Sequence, residues 1–289
     1  VLNILVAGSN GQLGKSIEDI HDQYAYRFYF TDKNTLDILN KKQIQDFVKQ
    51  NNIDVIINCA AYTAVDKAED EKDLADQVNH IAVGNIAKIC KESGIKLIHI
   101  STDYVFDGKN YKPYMESDEV FPNSVYGKSK LEGELSIQKI NPKGSVILRT
   151  SWMYSLYGKN FLKTIIKLAG NKDKLDVVFD QIGTPTYASD LAKAILDIIS
   201  QLGEDDVEVY HYSNEGVASW YDFALSIVRI LKIECEIAPI ETKNYPTPAK
   251  RPYFSLLNKG KIKNRFDLKI PHWEESLEHF LKNFNIKDY

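Results

Sequence analysis

Two groups of residues in this chain could do chemistry together. One is Gly8-Ser9-Asn10-Gly11-Gln12-Leu13-Gly14, directly after the apolar run from Leu2 to Ala7. The other is Tyr126-Gly127-Lys128-Ser129-Lys130, with Ser101-Thr102-Asp103 upstream of it. The first has the Gly-x-x-Gly-x-x-Gly spacing of a strand-to-helix turn that holds a dinucleotide. Gly8 permits the tight turn, Gly11 lets backbone approach a pyrophosphate, and Gly14 lets the helix pack closely on the strand. The helix start, with Asn10, Gln12 and Leu13 around it, offers unpaired N–H groups and partial positive charge to phosphate. In the second group, Tyr126 and Lys130 are four apart and share one helix face. A free tyrosine has a pKa of about 10. A neighbouring ammonium, together with a nicotinamidium charge, favours the phenolate and lowers that value, so Tyr126 can serve as general acid near neutral pH. Lys130 is also placed to donate to a nicotinamide ribose. Thr102 ends a predicted strand, where its hydroxyl can stabilise charge developing on a substrate oxygen. Together the groups predict hydride transfer coupled to proton transfer.

The elements that must position them alternate. Strands are predicted over 3–7, 27–31, 54–59, 96–101 and 145–150, and helices over 11–21, 41–50, 73–93 and 124–139. Such βα alternation implies a parallel sheet with helices on both faces, and a ligand crevice at the carboxyl ends of the strands. After Thr150 the pattern loosens. A helix over 189–200 and a strand over 207–212 look like further parts of the sheet. The rest, especially 245–257, reads as loops and short helices of a smaller lobe. The predicted fold class is α/β: a Rossmann-type doubly wound parallel sheet with a smaller α/β substrate-binding lobe. Residues 1–150 and 188–214 are assigned to the dinucleotide-binding domain, and 151–187 and 215–289 to the lobe.

Asp32 closes the second strand, eighteen residues past Gly14. A carboxylate near this distance bonds the adenosine ribose hydroxyls and disfavours a 2′-phosphate. That mildly favours NAD over NADP, and Lys33 beside it softens the preference. A turn aspartate is the alternative reading. Asp37 and Ile38 would lie near the adenine. The third strand runs into Asn58-Cys59-Ala60-Ala61-Tyr62-Thr63, where Cys59, Ala60, Ala61 and Thr63 would let backbone lie against the cofactor. Close sheet–helix packing explains the small residues equally well. The expected cofactor is NADPH or NADH.

Composition narrows the classes. The chain has 289 residues, 44% hydrophobic and 26% charged, with a formal charge of −4. This is ordinary globular composition, and the acidic balance argues against nucleic acid or an anionic membrane as partner. No apolar stretch reaches the roughly 18 residues of a membrane span, and no secretory signal is visible. Cys59, Cys90 and Cys235 are widely spaced and odd in number, which fits free thiols in a reducing cytoplasm better than a disulfide framework.

On these motifs the chain resembles the extended short-chain dehydrogenase/reductase superfamily, and within it the dTDP-4-dehydrorhamnose reductase family. Five further blocks carry the narrower resemblance: 64–69 (AVDKAE), 101–106 (STDYVF), 149–154 (RTSWMY), 180–186 (DQIGTPT) and 245–252 (YPTPAKRP). The resemblance covers nearly the whole chain. It implies hydride attack at C4 of a 4-keto dTDP-sugar, with Thr102, Tyr126 and Lys130 catalytic. It also implies that Val65, Asp66, Thr102, Asp103 and Tyr104 lie at the substrate, that Trp152 packs on the sugar, and that Arg251 takes the diphosphate. Trp152 could equally be core, and Arg251 a surface ion pair. Some family members hold magnesium at a dimer interface through glutamates. Here Ser16 and Ser189 stand near those positions, so no metal is expected, and the chain is expected to be a monomer or weak homodimer. Two rivals remain. A sugar-nucleotide dehydratase would need an Asp-Glu pair, where Asp103 is followed by Tyr104; an epimerase would show no net redox change. A regulatory subunit like the methionine adenosyltransferase β subunit would bind a partner without turnover.

Overall fold

The computed structural model describes residues 1–282 and 284. Its first half alternates as the apolar periodicity requires: β1 (Asn3–Ala7), α1 (Gln12–Glu18), β2 (Arg27–Thr31), α2 (Lys41–Gln50), β3 (Val55–Asn58), α3 (Lys72–Asp76), α4 (Ala82–Ser93), β4 (Lys96–Thr102), α5 (Val125–Ile140) and β5 (Val146–Thr150). A π-helical turn, Gln77–Ile81, joins α3 to α4. α1 stops three residues short of the expected His21, which begins a 3-10 turn instead.

The second half adds β6 (Met153–Tyr154), α6 (Phe161–Ala169), β7 (Lys174–Val178), β8 (Ile182–Gly183), β9 (Thr186–Tyr187), α7 (Ala188–Ile198), β10 (Glu208–His211), β11 (Ala218–Ser219), α8 (Trp220–Leu231), β12 (Glu236–Ile240), α9 (Gly260–Phe266) and α10 (Trp273–Lys282). Six strands form one parallel sheet in the order β10-β5-β4-β3-β1-β2. From β1 the chain steps to β2 on one side and returns to β3 on the other. That reversal opens a crevice at the carboxyl ends of β1 and β3.

Strand side chains alternate between the faces, so each strand feeds two cores. Ile4, Val6, Ile57, Ile98 and Leu148 pack with Leu191 and Ile195 of α7. Leu5, Ile56, Leu97 and Ile147 pack with Val83 and Ile86 of α4 and Ile137 of α5. A third core, rich in aromatics, holds Tyr154, Leu162, Phe223, Ile227, Trp273 and Phe280. It belongs to α6, α8 and α10, which are nine, twelve and ten residues long. The loops and short helices expected here are thus partly regular helices, and β7 pairs in parallel with β12. Their joining strands are as short as two residues, too short to display an alternation. Of the lobe expected over 215–289, residues 283 and 285–289 lie outside the described residues.

Candidate active site

The glycine turn sits at the strand-order reversal. Gly8 has φ +80°, and a Cβ there would lie 2.6 Å from the Cα and N of Ala60. A Cβ on Gly14 would lie 2.5 Å from the Cα of Ser9 and 2.7 Å from the oxygen of Gly8. Protein atoms therefore claim the first and third glycine positions. Gly11 differs: it is exposed, and its Cβ would meet only the Gly8 oxygen, at 3.3 Å. Its open side is where a pyrophosphate can approach. Gly11 also caps α1 without a side-chain bond, so the first-turn N–H groups keep their capacity for an anion.

The neighbouring residues have varied surroundings. Asn10 Nδ2 donates to Asp32 Oδ2. Gln12 Oε1 accepts from Ser155 Oγ at 3.1 Å and Asn160 Nδ2 at 2.9 Å, which ties the turn to the smaller lobe. Leu13 buries its side chain in the core, leaving only its backbone to the turn. Asp32 Oδ1 accepts from the N–H groups of Asn34 and Thr35 and from the Thr35 hydroxyl, each at 3.0 Å. Thr35 holds the carboxyl below its ordinary value. Asp32 is thus a turn-forming residue that also faces the glycine turn. Asp37 Oδ1 accepts from Leu39 N–H at 3.0 Å, and Ile38 packs into the core under the sheet. Cys59 and Ala60 are partly covered, Thr63 is exposed, and burial pushes the Cys59 thiol itself up to about 12, against the pull of Lys130.

α5 carries the residues expected to transfer a proton, Tyr126 and Lys130. Ser124 caps it by accepting from Gly127 N–H at 3.1 Å, and Glu69 Oε1 accepts from Val125 N–H at 2.9 Å. Gly127 is needed for contact: a Cβ there would lie 2.3 Å from the Tyr104 oxygen. That closeness brings the Tyr126 ring against Tyr104, centroids 5.5 Å apart, edge to face. Thr102 ends β4 next to them, accepting from Tyr104 N–H at 3.2 Å and donating to Asp103 Oδ1 at 2.9 Å. The other Asp103 oxygen is buried without a hydrogen-bond partner, and burial raises this carboxyl to about 7.

Lys130 corrects the expectation of an ammonium beside the phenol. Its buried amine turns to β4 instead, 2.6 Å from the Ile100 carbonyl and 3.3 Å from His99 Nε2. Burial holds the Tyr126 phenol above, not below, the ordinary tyrosine value, with the Thr102 hydroxyl pulling the other way. Spacing put the two residues on one helix face, but the long lysine side chain found the strand backbone.

Among the residues expected at the substrate, Arg251 Nη2 meets Asp66 Oδ2 at 2.8 Å, and Nη1 donates to the Tyr104 hydroxyl at 3.3 Å. Ala249 N–H reaches Asp66 Oδ1 at 3.3 Å. The blocks at 64–69 and 245–252 therefore close on each other. Val65 follows Thr63, whose carbonyl accepts its N–H at 2.9 Å. Trp152 takes a left-handed backbone, φ 46°, and stacks on Trp220 with centroids 3.6 Å apart and planes 9° apart. Non-glycine residues held at such angles concentrate at functional sites.

The sequence reading missed Glu69, Asn58, His99 and Glu134. Glu134 accepts from Ser101 Oγ and bidentately from Arg149, through Nε at 3.0 Å and Nη2 at 2.7 Å, locking α5 to β4 and β5. Its signal was available: it lies four residues beyond Lys130 on the same helix face.

Comparison with known proteins shows the family. The family model described as RmlD substrate binding domain matches residues 2–286. The chain is 41% identical to a dTDP-4-dehydrorhamnose reductase of Aggregatibacter actinomycetemcomitans, over 96% of this chain and 97% of that protein. It is 38% identical to the spore coat polysaccharide biosynthesis protein SpsK of Bacillus subtilis, over 96% of each. A crystal structure of a dTDP-4-dehydrorhamnose reductase from Clostridium acetobutylicum superposes with a TM-score of 0.92 at 41% identity, covering 97% of this chain and 99% of that one. The Bacillus anthracis reductase in complex with NADP superposes with a TM-score of 0.93 at 38% identity, covering 98% and 99%. The chain belongs to the dTDP-4-dehydrorhamnose reductase family.

Proposed function

We propose that this chain reduces the 4-keto group of dTDP-4-dehydro-L-rhamnose to dTDP-L-rhamnose, with NADPH or NADH as reductant, in the supply of rhamnose for cell-surface polysaccharide. The observation that carries the reading is the meeting of Thr102, Asp103 and Tyr126 at the carboxyl end of the sheet. A glycine turn lies at the same edge, its second glycine open. That turn, from Gly8 to Gly14, would hold the pyrophosphate. Asp32 and the segment from Cys59 to Thr63 would flank the rest of the cofactor, with Asp37 and Ile38 toward the adenine.

When bound, the nicotinamide supplies a hydride to C4 of the sugar. The chain's own residues manage the oxygen. The Thr102 hydroxyl bonds it, and Tyr126 donates its phenolic proton as negative charge develops there. Burial holds the phenol above its ordinary value, so it is protonated at neutral pH; the alkoxide formed at C4 is a stronger base still and takes the proton. Lys130, one helical turn further along α5, would bond the nicotinamide ribose. Arg251 would exchange Asp66 for the diphosphate, whose geometry its guanidinium matches. Val65, Asp103, Tyr104 and Trp152 would line the sugar side. Asp103 is followed by Tyr104, so the paired acid of a dehydratase is missing.

We take the chain to act as a monomer or weak homodimer. Ser16 and Ser189 line one hollow with Asp19, and serine hydroxyls are poor magnesium ligands beside carboxylates. Light scattering with and without chelator tests this; a stable dimer lost on chelation would overturn it. For the reaction, oxidation of NADPH and NADH is followed in parallel on the keto sugar made in situ by the upstream dehydratase and epimerase. Substrate-dependent oxidation yielding dTDP-rhamnose is expected. Folded, cofactor-binding protein that oxidises neither would refute the assignment.

A further inference from the structure

Behind the reacting residues lies a buried polar chain that the mechanism above leaves unused. Asn58 and His99 are fully buried, and Lys130 is 1% exposed. The backbone N–H of Ala60 lies 3.2 Å from Asn58 Oδ1. An N–H can only donate, so this atom is the amide's oxygen. The Nδ2 group then faces His99 Nδ1, 3.2 Å away. Nδ2 can only donate as well, which makes Nδ1 the bare ring nitrogen. Burial keeps the ring neutral, so its one proton sits on Nε2. That N–H points at Lys130 Nζ, 3.3 Å away. An ammonium has no lone pair to receive it, whereas a free amine does. The Ile100 carbonyl, the amine's other partner, is satisfied by one N–H of either form.

We propose that Asn58 and His99 are positioning residues for Lys130: the backbone of Ala60 sets the Asn58 amide, the amide sets the His99 tautomer, and the Nε2–H of His99 favours the free amine of Lys130 over its ammonium in the cofactor-free protein. The inference rests on the proposed function only in treating Lys130 as part of the reaction centre. Other groups facing the amine are Glu134 on its own helix and Cys59 after β3, both favouring the charged form. Glu134 is itself engaged by Arg149 of β5 and Ser101 of β4. Burial outweighs them and brings Lys130 down to about 8. A lysine so held changes charge within the working pH range, which a solvent-exposed one does not.

Asn58→Asp reverses the chain without removing it. A carboxylate accepts from Ala60 N–H and also from the ring, so the proton moves to Nδ1. Nε2 then becomes an acceptor, and Lys130 is held as ammonium. The test is a long-range proton–nitrogen NMR spectrum of the histidine rings of the full chain, with His99 assigned from the change in Asn58→Asp. The wild-type protein is expected to show Nε2 protonated and Nδ1 bare. A protonated Nδ1 would overturn the proposal. The second readout is the pH profile of NADPH affinity and turnover. In Asn58→Asp the Lys130 limb should move up by about one pH unit, and an unmoved limb would also overturn it. If the variant does not fold, single His-to-Gln variants elsewhere assign the wild-type spectrum by elimination, and the tautomer alone decides. The spectrum needs no substrate, so a protein that failed to reduce the sugar could still show the expected tautomer. A working reductase with the other tautomer would lose only this inference.

Discussion

Replacing Asp103 with asparagine should change how stability depends on pH. The carboxyl is 2% exposed. One of its oxygens accepts from Thr102, and the other is buried without a partner. Burial raises it from the ordinary 3.8 to about 7. The folded state therefore binds this proton more tightly than the unfolded chain does. Its contribution is complete below pH 3.8 and is lost as pH rises to about 7. That interval spans some three pH units at roughly 1.4 kcal/mol each, an upper figure of about 4 kcal/mol. The asparagine of the variant keeps the same shape, has no proton to lose, and carries whatever fixed cost its NH2 group meets at every pH. The measurement is urea unfolding of both proteins by circular dichroism, at steps from pH 4 to 9. The wild type should lose stability relative to Asp103→Asn by up to ~1.4 kcal/mol per pH unit across that interval, then run parallel to it. A difference that stays constant from pH 4 to 9 would show that the carboxyl ionises as a free aspartate does, and the reasoning would fail.

Three further outcomes are expected. Tyr126→Phe should cut turnover by ~10²–10⁴ while sparing cofactor affinity measured by titration; turnover near that of the wild type would remove Tyr126 from the reaction. Asp32→Ala should raise the ratio of kcat/KM for NADPH to that for NADH, and an unchanged ratio would leave Asp32 as a turn residue alone. Gly14→Ala drives a methyl into the backbone of Ser9, 2.5 Å away. It should cost about 1–3 kcal/mol and weaken both cofactors together; a normal Tm with normal affinity would contradict the close packing described.

What the sequence made legible was whatever rests on period and backbone. Four of the five early strands are apolar runs buried on both faces, the edge strand β2 is half-buried, and all lie close to their predicted spans. The glycine turn was legible because its three positions need different freedoms. Side-chain direction was not legible. Tyr126 and Lys130 share a face by spacing alone, yet the amine's choice of the Ile100 carbonyl depends on how close β4 lies to α5. Nothing local to Asn58 or His99 announces the other, because their contact crosses from β3 to β4. The blocks around Asp66 and Arg251 were visible as motifs, while their pairing joins residues 185 apart. In the smaller lobe, four strands of two residues carry no alternation, and β7 and β12 pair only with each other, so little framed α6, α8 and α10 in the sequence.

The stacked pair Trp152 and Trp220 has an optical consequence. Indoles with centroids 3.6 Å apart exchange excitation faster than either emits, so the two behave as a single chromophore. One ring sits on the strained residue after β5 and the other opens α8. Anything that slides a sugar against Trp152, or shifts the lobe by a fraction of a ring width, alters that shared emission. The third tryptophan, Trp273, lies buried in the aromatic core and serves as an internal reference. The protein thus carries an unlabelled gauge of the proposed sugar side, readable in a cuvette before any turnover occurs.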